Sequence, residues 1–93
     1  MNRSFETSKI KSSTLSDKVP WSDRLTAYDR EHFTTYMQLL DAYADNATEE
    51  EMAHLILGID PAREPERARK ALRSHLERAN WIVTTGYKDL FAS

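Results

Sequence analysis

Ninety-three residues, 40% hydrophobic and 30% charged, describe one small domain, because a chain needs roughly 50 to 250 residues to enclose a core. The absence of cysteine excludes disulfides, thiolate zinc sites and a cysteine nucleophile, and the two glycines, Gly58 and Gly86, stand too far apart for a phosphate-cradling loop. A net charge of -2 decides neither for nor against nucleic acid until the charges are placed along the chain.

Residues 1–18 carry five serines, two threonines and three lysines, and their larger apolar groups are Met1, Phe5, Ile10 and Leu15. Such a segment buries too little to repay its ordering entropy, so a disordered tail is expected over 1–18 and a folded domain over 19–93. Read functionally, Arg3, Lys9, Lys11 and Lys18 in the same segment form a basic arm for DNA phosphates. No apolar run near the start suits a signal peptide and none approaches a membrane span, so a cytoplasmic protein without a membrane partner is expected.

Thr26 followed by Asp29 reads as a capping box that starts a helix. The apolar positions Phe33, Tyr36, Met37, Leu40 and Tyr43, flanked by Tyr28, His32, Leu39 and Ala42, continue it as one central helix to Asp45-Asn46. Thr48 with Glu51 is a second capping box, and Gly58 stops the short helix that follows. Asp60-Pro61 allows one extra turn, after which Pro65 at a first helical position opens a long helix. Ala68, Leu72, Leu76, Ala79 and Val83 give that helix an unbroken buried stripe over 65–85, ending at Gly86. The β-branched run from Ile82 to Thr85 lacks a partner strand and belongs to the helix; Tyr87, Leu90 and Phe91 suit a terminal turn that folds back as a lid. The fold expected is all-α, a helix-turn-helix variant whose turn, Gly58 to Glu64, is longer than the usual three or four residues.

Charge divides along these elements. Residues 26–57 hold one cation, Arg30, against seven carboxylates, whereas residues 61–80 hold six cations against three. The recognition helix is therefore basic, with Arg67, Lys70 and Arg73 as candidate DNA contacts, yet Glu49, Glu50 and Glu51 crowd the edge where phosphate docks. The same run read blandly is a solvated face with Glu66–Lys70 and Glu77–Arg73 neighbours. Glu51 and His54 make half of a di-iron motif whose other half is missing, and neither a nucleophile elbow nor an oxyanion loop is encoded. No metal, cofactor, small-molecule ligand or enzymatic activity is expected.

The segments Pro20 to Arg30, Leu57 to Pro61 and Trp81 to Leu90 resemble a proteobacterial family long labelled a domain of unknown function and carried on integrative and conjugative elements. The resemblance spans about Pro20 to Phe91. It implies an extended-turn helix-turn-helix. Some members of that family activate excision and transfer genes through a cationic face on DNA; standalone members are antiactivators that bind the activator. The acidic balance and short length point to the second kind, a partner of the transcriptional activator of the same mobile element, with DNA binding absent or weak and Trp21, Tyr28, His32, Trp81 and Tyr87 as candidate protein contacts. The alternative is a small helix-turn-helix DNA-binding regulator.

Overall fold

The computed structural model describes residues 15–89, and among them there are helices and no strand. The elements are α1 (Ala27–Glu31), α2 (Phe33–Ala44), α3 (Glu49–Leu55), α4 (Pro65–Trp81) and a π-helical turn (Ile82–Gly86) that continues α4. None of these helices is long and apolar enough to cross a membrane. Of the disordered tail expected over 1–18, residues 1–14 lie outside the described residues, as do the lid residues Leu90 and Phe91, while Ser16 and Asp17 are hydrogen-bonded to Tyr28 and Arg67.

Both capping boxes form. Thr26 Oγ1 accepts the Asp29 amide at 3.1 Å while Asp29 Oδ2 accepts the Thr26 amide at 2.9 Å, and Thr48 and Glu51 exchange the same pair of bonds. The single helix expected from Thr26 to Asp45 is instead broken at His32, whose ψ of 23° ends α1 and whose carbonyl accepts the Tyr36 amide to begin α2. Neither glycine nor proline marks that break; the buried His32 ring is packed on Tyr28, with centroids 4.2 Å apart. α2 ends in a Schellman motif, with Asn46 at φ 66° and the Ala47 amide returning to the Ala42 carbonyl. Gly58, at φ 74°, turns the chain after α3. The Asp60 carbonyl then caps the Arg63 and Glu64 amides while its side chain takes that of Ala62, which is the extra turn before Pro65.

α4 is the central element, packed against α2 and α3 and continued by the π-helical turn. Its N-terminal half meets Leu39, Met52, Ala53, Leu57 and Ile59, and its C-terminal end joins Tyr36 and Ile82. The buried face is rotated from the expected stripe. Ala68, Leu72 and Ala79 are buried, but Leu76 is only partly so and Val83 is 44% exposed. His75 and Arg78 take the centre instead, both fully buried. Gly86 is not the expected helix cap; it is a close approach, since a methyl group there would overlap the Trp81 ring.

Candidate nucleic-acid interface

The arrangement of α3, a nine-residue connection and α4 is a helix-turn-helix with an extended turn. What aims α4 is a buried polar hub. Arg78 Nε and Nη2 bind the Asp29 carboxylate, with 2.7 Å from Nη2 to Oδ2, while its remaining reach goes to the Ser22 carbonyl at 2.7 Å and the Arg24 carbonyl at 2.9 Å. Tyr36 donates to Asp29 Oδ1 at 2.9 Å. The guanidinium lies over both Trp21 and Trp81, at 4.7 and 4.0 Å from the ring centroids. Burial opposes ionisation of Asp29, but its bonds from Arg78, Thr26 and Tyr36 overcome that and hold the carboxyl below the ordinary aspartate range. One consequence corrects the charge map: Arg78 and Asp29 neutralise each other inside and add nothing to either face.

On the outer face of α4, Arg69, Lys70 and Arg73 are exposed together, and Arg63 stands exposed on the preceding turn. Arg73 reaches Glu49 of α3 at 3.5 Å rather than Glu77. Arg67 is turned about 60° around the helix from Lys70 and is engaged by Asp17 at 2.7 Å and by Glu64 at 3.2 Å. Of the candidate DNA contacts, then, Lys70 has no ion pair among the described residues, whereas Arg67 and Arg73 hold carboxylates. Arg69 belongs to the same face and was not singled out by sequence; the available signal was its place on the wheel about 40° from Arg73, which falls between it and Lys70.

Four of the five candidate protein contacts fall into two ring clusters. Trp21 and Trp81 meet edge to face at 6.0 Å, with Trp21 57% exposed. Tyr28 and His32 form the second cluster with His75, and because His32 is buried it presents no ring to a partner. Tyr87 is exposed beyond the π-helical turn. Among the described residues no three His, Asp or Glu side chains converge to hold a metal, and Glu51 is occupied in its capping box.

His75 ties the second cluster to the chain's start. Its Nδ1 faces the Ala71 carbonyl at 2.7 Å, a pure acceptor, so Nδ1 carries the proton and Nε2 accepts from the Tyr28 hydroxyl at 2.7 Å. Tyr28 in turn accepts the Ser16 amide at 2.9 Å. Burial, aided by His32, depresses the His75 pKa against the Ala71 bond and Asp17, which act to raise it. A depressed folded pKa means that the unfolded chain binds the proton more tightly, so this contribution to stability is complete above about pH 6.5 and is lost as pH falls below it. Urea midpoints should therefore decline from pH 7.5 to pH 5, with the His75 ring titrating below 6.5 by NMR; a ring titrating above 6.5 overturns the assignment.

Residues 5–91 match the model of the RovC DNA-binding-domain family, described as a T6SS transcription factor DNA-binding domain. The chain belongs to this family. Comparison with curated proteins finds no match. In this RovC-type domain the matched span takes in every described residue, including the segment from Leu15 that leads into Trp21, so that segment is part of the family unit rather than an appendage.

Proposed function

We propose that this domain is a DNA-binding transcriptional regulator that lays the outer face of α4 in the major groove. Membership in a family of transcription-factor DNA-binding domains carries the reading. The geometry supports it through an exposed cation cluster of Arg69, Lys70 and Arg73 on the second helix of a helix-turn-helix, with Arg63 on the flanking turn. α4 spans about 25 Å at 1.5 Å per residue, enough to present two turns to a groove while its C-terminal end stays fixed by Arg78. The carboxylates Asp41, Asp45 and Glu49 to Glu51 at the α2–α3 end are exposed and repel a duplex, which limits how much backbone the domain covers.

Replacing Arg69, Lys70 and Arg73 together by alanine should flatten the dependence of log affinity on log salt by about 2 to 3, since each phosphate no longer neutralised takes about 0.9 from the slope. All three are exposed, so circular dichroism should be unchanged. Fluorescence anisotropy with promoter duplexes over a salt series checks this; a wild-type domain that shows no salt-dependent binding sinks the reading.

A second reading rests on the net charge of -2 and on the carboxylates that hold Arg67 and Arg73. The chain resembles QseM-like antiactivators of rhizobial mobile elements, and in that role it binds the element's transcriptional activator. Exposed Trp21 suits an interface anchor, although a competitor for an intramolecular contact must overcome a tethered copy at about millimolar effective concentration. Co-purification of the activator with wild type but not with Trp21→Ala, together with absent DNA binding, favours this second reading over the first.

A further inference from the structure

Residues 15–19 run along the side of α4 that carries Arg67. Asp17 Oδ1 accepts Arg67 Nε at 2.7 Å, and both Glu64 oxygens accept from Nη1 at 3.2 and 3.3 Å. The guanidinium thus faces two carboxylates, although it stands one turn from the exposed cations of α4. Asp17 is not a loose surface group. The Ser16 amide is held by Tyr28, the Val19 amide by Ser74 Oγ at 2.7 Å, the Val19 side chain is buried and Leu15 packs on the core around Leu39. Exposed ion pairs are weak chiefly because two long side chains must be ordered. Here the aspartate is already fixed by anchors on either side of it.

A carboxylate and a phosphate offer an arginine fork the same pair of oxygens. We propose that residues 15–19 form a latch in which Asp17 occupies, at Arg67, the place of a DNA phosphate. The inference rests on the DNA-binding reading above. Docking of α4 then exchanges a carboxylate for a phosphate at Arg67, so Arg67 adds to affinity only once Asp17 has withdrawn. The N-terminal segment becomes a built-in competitor for the surface it borders.

The test is fluorescence anisotropy of the full chain on a labelled mixed-sequence DNA duplex over a salt series, with Asp17→Asn, Arg67→Ala, the double variant, and Asp23→Asn as a control that removes an exposed negative charge outside the latch. Asp17→Asn should tighten binding about two- to fivefold and steepen the log–log salt slope by about 0.9, the value of one further neutralised phosphate. In the Arg67→Ala background the gain should vanish. A gain equal to that of Asp23→Asn, or one that survives in the Arg67→Ala background, overturns the latch while leaving the DNA reading intact. Absence of salt-dependent binding in every variant overturns both.

Discussion

Arg78→Ala should destabilise the domain by about 3 to 5 kcal/mol, because it leaves the Asp29 carboxylate buried without its counter-charge. Both side chains are essentially inaccessible, and the guanidinium also satisfies the Ser22 and Arg24 carbonyls. A 93-residue domain is worth roughly 5 to 14 kcal/mol in all, so the variant should be partly unfolded near physiological temperature. Arg78→Lys should fail nearly as badly, since a single ammonium cannot reproduce a fork that serves Asp29 and two carbonyls at once. The pair Asp29→Leu with Arg78→Met should cost less than Arg78→Ala alone, because removing both charges removes the desolvation that one must bear. Urea titrations of the four proteins decide it, and an Arg78→Ala loss below about 1 kcal/mol would show that the hub does not hold α4. The depressed Asp29 pKa adds a sign: its contribution is present above the ordinary aspartate range and is lost as pH falls through the lower folded value.

Leu72→Ala should cost about 2 to 5 kcal/mol, and the same substitution series tests the rotation of α4. Leu72 is fully buried in the cluster around Leu39 and Met52, and Ile82 is buried in the cluster with Tyr36. Ile82→Ala belongs with Leu72→Ala, whereas Val83→Ala, on the exposed side of the π-helical turn, should stay within about 0.5 kcal/mol. Thermal melts in which Val83→Ala costs as much as Ile82→Ala would restore the stripe read from sequence.

These two experiments bear on how far the sequence could be read. Local chemistry was legible where one or two neighbouring residues decide the outcome. Both capping boxes, the left-handed Gly58, the turn at Asp60-Pro61 and the start of α4 at Pro65 all formed where spacing placed them, because each is decided by a residue's own backbone freedom or by a bond to a group a few residues away. The all-α architecture and its long turn follow from those signals. The basic cluster on α4 was legible for the same reason, since residues on one helix keep their spacing whatever the rest of the fold does.

Three misread side chains each depend on a partner distant in the chain. Arg78 was counted as a surface cation because nothing within a few residues neutralises it; its partner Asp29 is 49 residues away. His75 carries no sign of a core position in the sequence, because the hydroxyl that donates to it, on Tyr28, lies 47 residues earlier. Assigning the buried face by apolar periodicity alone therefore rotated α4 toward Leu76 and Val83. Arg67 likewise looked like a free contact until Asp17, 50 residues upstream, was brought beside it. Residue type and spacing alone determined the all-α class, the capped helix starts and the cations on α4; tertiary structure decided which of those charges reach solvent. The physical reason is that a charged side chain enters a core only when its counter-group is already there, and that is settled by packing between segments rather than within one.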